Sequence, residues 1–377
     1  MRLGLAGRAA AGRCLGRGGG APQRGAELLP ELLQSAEAAE EGAGATRGRR
    51  APEEASVLLF PGQGSQAVGM VGRGLLREPR ARELFGLAER VLGYDLLGLC
   101  LAGPEAELRR TDRCQPAVFV ASLAALERLH HRRPAVIENC VAAAGFSIGE
   151  YAALVFAGAI DYAEALYAVK VRAEAMQEAS EAIPSGMLSV IGRHSSDYVT
   201  ACSEAREHCR SLGIENPVCE ISNYLFPDSR VIAGHLQALE FLQQNSKKYG
   251  FVRVKMLPVS GAFHTRLMEP AVEPLAEALR SINIQKPLIP VYSNVDGQKY
   301  TQPKQIQRLL AKQLVSPVKW EQTMHSIYER RKGMGFPCTY EVGPGKQLGV
   351  ILRSCNLKAW KFYTHIDVSE NETEEET

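Results

Sequence analysis

A serine set between two glycines is the first place in this sequence where residue types and spacing could do chemistry. The stretch is Gly145-Phe146-Ser147-Ile148-Gly149, a G-x-S-x-G. A small apolar run, Cys140 to Ala144, leads in and reads as a buried strand; Glu150 to Ala157 leads out and reads as a helix. A strand that turns sharply into a helix holds the serine proud of the sheet, and the glycines allow a turn that a Cβ would obstruct. The helix N-terminus and nearby N–H groups then face whatever Ser147 attacks. Such a serine suits acyl-ester chemistry; the alternative is a serine that only caps the helix. Two further side chains could complete a site. His264, after the strand-like run ending at Val259, is a general-base candidate, although any of the eight histidines could be structural. Arg172 lies on a helix read from Tyr162 to Gln177, three residues after Val169 and four before Met176. It therefore borders that helix's apolar face. A guanidinium there calls for a carboxylate or phosphate partner, or else covers apolar surface with its stem.

The elements that must position these residues alternate between strand and helix. Val57-Leu-Leu-Phe60 reads as a buried strand, followed by the turn Pro61-Gly-Gln-Gly-Ser-Gln66. Gly62-x-Gly64-x-x-Ala67 formally matches a dinucleotide fingerprint, but Pro61 interrupts the strand-to-loop step and no acidic residue at the end of a second strand follows about 20 residues later. Residues 78–98 read as a helix. Gln115-Pro-Ala-Val-Phe-Val120 feeds an apolar helix that runs through Leu129 toward the strand before Ser147. This alternation favours an α/β layer fold with a parallel sheet. Residues 185–257 form a different unit. Its strands are read at Gly186–Ile191, Val218–Ser222, Ser229–Ala233 and Val252–Val259, its helices at Asp197–Leu212 and Leu236–Tyr249. The order βαββαβ is that of a ferredoxin-like unit, inserted between the serine and the histidine, and a cleft between two units is a usual ligand site. Beyond it, Leu288–Tyr292 reads as a strand, Thr301–Leu314 as a helix, and Tyr340-Glu-Val-Gly-Pro-Gly345 as a strand and turn. Gly345-Lys346 is no P-loop, because Tyr340 stands where its first glycine belongs and Gln347 replaces its hydroxyl residue.

Composition bounds the function. The 377 residues hold 45% hydrophobic and 23% charged residues, which suits a globular chain large enough for two units. No apolar run reaches the ~20 residues of a membrane span. The nine cysteines are scattered without C-x-x-C, so reduced thiols are expected, and no H-E-x-x-H supports a metal. Residues 1–25 carry Arg2, Arg8, Arg13, Arg17 and Arg24 and no acid, the composition of a cleaved, most simply mitochondrial, targeting peptide; the alternative is a disordered basic tail. Residues 26–55 read as a linker. The first 50 residues hold eight Arg and five Glu, so they carry +3 of the formal +2 and the remainder carries −1. The basic character therefore belongs to the leader, and nucleic-acid binding by the folded body is not expected. Residues 361–377 read as an acidic tail, and the sequon at Asn371 is discounted given the leader.

Taken in order, these stretches resemble a family. Phe60-Pro-Gly-Gln-Gly-Ser-Gln66, Gln115-Pro-Ala117, Gly145-Phe-Ser-Ile-Gly-Glu150, Val171-Arg-Ala-Glu-Ala-Met-Gln177, Ser260-Gly-Ala-Phe-His264 and Glu341-Val-Gly-Pro-Gly-Lys346 are similar to the blocks of the malonyl-CoA:acyl carrier protein transacylases, most of all the mitochondrial form, over roughly residues 56–360. The resemblance implies an α/β-hydrolase-like core in two parts, 56–184 and 258–360, with the ferredoxin-like unit 185–257 between them. It implies Ser147 as nucleophile, His264 as base, the N–H groups of Gln63 and Ile148 as the oxyanion hole, and Arg172 as the group holding the malonyl carboxylate. The family uses a main-chain carbonyl to orient its histidine, and Gln313 matches the residue that supplies it. Met176, Asn223 and Phe146 match substrate-lining positions. Many members have His where this chain has Phe146, and a second Asn where it keeps only Asn223. The implied activity is malonyl transfer from malonyl-CoA to acyl carrier protein in fatty acid synthesis, in the mitochondrial matrix, with both as substrates and no cofactor. A monomer is expected. A serine esterase of the α/β-hydrolase type is the alternative, and it would want an Asp or Glu between Ser147 and His264.

Overall fold

The computed structural model describes residues 54–72 and 74–369. The expected targeting peptide and nearly all of its linker lie outside the described residues, as does the sequon.

Two five-stranded sheets organise the chain. Apolar runs without polar alternation form strands buried on both faces, and the centre of the first sheet, β1 and β2, is built from such runs. Its strands are β1 (Ser56–Phe60), β2 (Cys140–Gly145), β7 (Val291–Tyr292), β9 (Cys338–Val342) and β10 (Tyr363–Ile366), in the order β10-β9-β1-β2-β7. Every neighbouring pair is parallel. Strand alternation divides the packing. Leu58, Phe60 and Ala143 face the main core, while Val57, Leu59, Ala142 and Ala144 face a second cluster containing Trp320 and Tyr328. The long helix Thr111–Arg132, buried along most of its length, and the helix Tyr162–Ala182 fill the main core. Asp161 caps the latter by accepting the N–H of Ala163 at 2.8 Å. Among the described residues no helix is long and apolar enough to cross a membrane, and the eight cysteines are free thiols.

The second sheet comprises β3 (Ser185–Ile191), β4 (Cys219–Phe226), β5 (Ser229–His235), β6 (Arg253–Met256) and β8 (Val318–Lys319), in the order β6-β3-β5-β4-β8. The first four pair antiparallel, and β8 joins β4 in parallel. The helices Tyr198–Ser211 and Leu236–Gln244 cover one face through Leu188, Ala201, Ile232 and Leu239. Asp197 caps the first of them, accepting the N–H of Thr200 at 2.9 Å. From the opposite face Met187, Val231 and Ala233 join the main core, so the two sheets share packing.

Several sequence expectations shift. The acidic tail does not begin at 361, because Tyr363–Ile366 is the edge strand of the parallel sheet and Val368 is fully buried. The second sheet extends beyond 185–257, since β8 comes from residues 318–319. The run 288–292 is strand only at its end, because Leu288 donates its N–H to Ala157 O and Pro290 has none to donate. The last strand of the inserted unit stops at Met256, where Pro258 breaks the ladder and the Val259 N–H turns back to Leu257 O.

Candidate active site

Four parallel strands end near one another, and the loops that follow them supply the site. Crevices at the carboxyl ends of parallel strands are the usual ligand position in α/β sheets. β1 leads into the turn Pro61–Gln66, β2 into Ser147, β7 into Asn294, and β9 into Gly343–Gly345. Ser147 has φ 53° and His264 φ 62°, both in the left-handed region that non-glycine residues seldom occupy. The close approach after β2 needs its glycines: a Cβ on Gly145 would lie 1.9 Å from Gly149 C, and one on Gly149 would lie 2.3 Å from Phe60 O. The helix Gly149–Phe156 thereby begins directly over the ends of β1 and β2. Asn294 braces this turn, accepting the N–H of Ser147 at 2.7 Å and donating Nδ2–H to Gly145 O at 2.7 Å.

The three side chains singled out by type and spacing converge. Ser147 Oγ lies 2.9 Å from His264 Nε2. His264 Nδ1 lies 2.8 Å from the main-chain oxygen of Gln313, which ends the helix Pro303–Gln313. Burial, aided by the charge on Arg172, pushes the His264 pKa down to about 4, against the opposing pull of that carbonyl. The ring is therefore neutral at pH 7. Its Nδ1–H donates to Gln313 O, which leaves the Nε2 lone pair to accept the Ser147 hydroxyl proton. No carboxylate touches the histidine among the described residues. Asp161 and Asp197 are taken up as helix caps, as noted above.

Arg172 is fully buried, which removes the surface-covering alternative. Its Nη1–H donates to Gln115 Oε1 at 2.5 Å, and Nη2–H to Gln313 Oε1 at 2.8 Å and to Ser147 Oγ at 3.0 Å. Its Nε has no hydrogen-bond partner among the described residues. Burial lowers its pKa from the ordinary arginine value. A buried cation satisfied only by neutral oxygens is a place where an incoming carboxylate gains charge-assisted bonds. Gln115 Nε2–H in turn donates to Gln63 Oε1 at 3.3 Å and approaches Met176 Sδ at 3.4 Å. Met176 is thus tied to the cluster. The N–H of Ile148 stands at the helix N-cap. Neither it nor the N–H of Gln63 is engaged by a turn or side-chain hydrogen bond among the described residues.

Gln63 and Phe146 also line a pocket of about 380 Å³ between the Pro61–Ala67 turn, Leu257–Val259 and the helix face of Leu348 and Ile351. Phe146 meets Trp320 edge-on, with ring centroids 5.4 Å apart. Asn223 makes no hydrogen bond to the cluster among the described residues. It lies on β4, beside Val318 of β8, and its Oδ1 accepts the Ser222 hydroxyl at 2.8 Å. Sequence reasoning missed Gln115, Glu150, Asn294 and Tyr300 as site residues. Gln115 and Glu150 sat inside blocks already singled out. A polar side chain just past the end of a parallel strand was the available signal for Asn294.

With this geometry in place, comparison with known proteins is direct. The acyl transferase domain family matches residues 57–336. The malonyl-CoA-acyl carrier protein transacylase, mitochondrial, of Mus musculus is 70% identical over 344 residues, covering 91% of this chain and 90% of its own. An acyl carrier protein S-malonyltransferase from Vibrio cholerae superposes with a TM-score of 0.73 at 34% identity, over 83% of this chain and 96% of its own. A malonyl-transacylase solved in complex with a type II PKS acyl-carrier protein superposes with a TM-score of 0.71 at 33% identity, over 82% of this chain and 94% of its own. On both the family match and this identity across nearly all its length, the chain belongs to the acyl transferases and, among them, to the malonyl-CoA-acyl carrier protein transacylases.

Proposed function

We propose that the chain moves a malonyl group from malonyl-CoA to the phosphopantetheine thiol of acyl carrier protein, through an ester on Ser147, in fatty acid synthesis. The observation that carries this reading is Arg172: a buried guanidinium with no carboxylate partner among the described residues, 3.0 Å from the candidate nucleophile. A malonyl carboxylate would supply the missing charge and seat the thioester carbonyl at Ser147 Oγ.

The steps follow from the geometry. His264 Nε2 takes the Ser147 proton as Oγ bonds to the thioester carbonyl carbon. The oxyanion faces the N–H groups of Gln63 and Ile148, each worth about 3 kcal/mol in sites of this kind. The carbon–sulfur bond breaks, and the leaving CoA sulfur takes the proton back from His264. The carrier thiol then gives its proton to His264 and attacks the ester, and the released Ser147 oxygen recovers it. Both acyl carriers are substrates, and the cycle as written consumes no cofactor. Gln313 orients the base through its carbonyl, in the place an acidic residue holds in esterase triads. Met176 and Phe146 border the acyl site and its entrance, and Asn223 on β4 is read as a further substrate-lining residue.

The mitochondrial name of the mouse relative and the arginine-rich, acid-free residues 1–25 support a mitochondrial protein, and we place it in the matrix. The solved complex of a related enzyme with its carrier protein supports the partner. We take the working unit to be a monomer. We read the parallel-sheet body as α/β-hydrolase-like and the β3–β6 unit as ferredoxin-like, supported by its βαββαβ order and the antiparallel arrangement β6-β3-β5-β4. The division is then a body from 56–184 and from 258 onward, with 185–257 between.

The esterase alternative is weakened by the absence of any acid on His264, and CoA release separates the two. With malonyl-CoA and no acceptor, a transferase releases one equivalent of CoA and stops until carrier protein is added. Steady release without acceptor would identify a hydrolase.

A further inference from the structure

Glu150 opens the helix after Ser147 and is 1% exposed. Its carboxylate receives hydrogen bonds from the Tyr300 hydroxyl, from Gln313 Nε2 at 2.6 Å and from the Asn294 N–H at 3.2 Å. All three donors come from the far half of the chain. Neither Glu150 nor Arg172 forms an ion pair within 4 Å among the described residues, yet both are buried. One side-chain amide stands between them. Gln313 presents its NH₂ to Glu150 and its carbonyl oxygen to Arg172 Nη2 at 2.8 Å. The same residue donates to Ser147 O at 3.1 Å and holds His264 through its main chain. A carboxylate accepts and never donates, so an ionised Glu150 permits only this amide orientation. With the amide reversed, its NH₂ would point at the guanidinium.

We propose that Glu150 is a positioning residue for the dicarboxylic acyl group: its buried negative charge locks the Gln313 amide with the carbonyl toward Arg172, and so aims the guanidinium at the acyl site. This rests on the transacylase reading above. The residue is proposed to act on the acyl site through Gln313, which stands between it and Arg172. The titratable and charged groups around it are Tyr300, Tyr151 and Arg172, with His264 beyond Gln313. Burial pushes the Glu150 carboxyl up to about 7, while Tyr300, Gln313, Asn294 and Arg172 pull it the other way. His264 titrates far lower, at about 4, and Tyr300 is raised well above its ordinary value by burial and by Glu150. As pH falls through the neutral range, Glu150 takes a proton, gains a donor and releases the lock. Malonyl turnover then falls on an acid limb belonging to Glu150, not to the base.

The test compares malonyl-CoA and acetyl-CoA in the full-length enzyme, reading acyl transfer to acyl carrier protein against pH. Glu150→Gln should lower malonyl kcat/KM by about tenfold or more and acetyl kcat/KM by less than about threefold, and should flatten the malonyl acid limb. Tyr300→Phe removes one donor and keeps the ring, so it should move that limb to higher pH even if Glu150→Gln folds poorly. Equal losses for the two acyl groups, or a limb that stays put in Tyr300→Phe, would overturn the role assigned to Glu150. Failure of the wild-type enzyme to transfer malonyl at all would instead overturn the function on which it rests.

Discussion

Arg172 is fully buried, and among the described residues its hydrogen-bond acceptors are all neutral oxygens, an arrangement that favours an anionic acyl group over a neutral one. Replacing it should therefore separate two substrates. In Arg172→Ala, malonyl kcat/KM should fall by about a hundredfold or more, with a smaller loss for acetyl-CoA, measured as transfer to acyl carrier protein. Arg172→Lys should not rescue, because a lysine cannot bond Gln115, Gln313 and a carboxylate from one planar fork. Unchanged malonyl kinetics in either variant would remove Arg172 from the site. At this scale the sequence was informative where type and spacing coincide. Ser147 announced itself through its glycines, and Arg172 through its place beside an apolar stripe. The partners that tune them were not visible, because Gln115, Glu150, Asn294 and Tyr300 reach the site from separate elements. Nothing local marks a glutamine or asparagine as buried and bonded rather than exposed.

The turn between β2 and its helix shows how an element fixes the proposed nucleophile. It works because the backbone of Gly149 sits where a side chain on residue 145 would be. Gly145→Ala must displace the helix start and with it Ser147 and Ile148. A loss of about 2 kcal/mol in stability, read by denaturant unfolding, should accompany loss of acylation; an alanine variant with wild-type stability and rate would refute the close approach. Strands and helices with strong apolar pattern were legible to within a few residues, as the helix Tyr198–Ser211 with its Asp197 cap illustrates. Short pairings were not. β8 is two residues long and exists because β4 offers it an edge. β10 is polar in places and holds its position through Thr339, Tyr340 and Glu341 of β9, with Tyr363 Oη donating to Glu341 Oε2 at 2.6 Å. Both are consequences of tertiary contact, which a pattern read along the chain does not contain.

Across the whole molecule, the order of the chain explains why the site lies where two sheets meet. Ser147, the proposed nucleophile, lies in the first part of the parallel body, the inserted unit follows after residue 184, and His264 arrives shortly after the last strand of that unit. Met187, Val231 and Ala233 pin that unit to the main core, and the imidazole is held between Ser147 Oγ and Gln313 O. The proposed function requires the acyl group to rest on Ser147 between two carriers, and this is its central claim. The most direct measurement is the intact mass of the protein after mixing with malonyl-CoA in the absence of acyl carrier protein, with Ser147→Ala as control. The account predicts one added malonyl group, absent in Ser147→Ala and removed when acyl carrier protein is supplied. An unmodified wild-type mass with no CoA released, or an equal modification of Ser147→Ala, would contradict it.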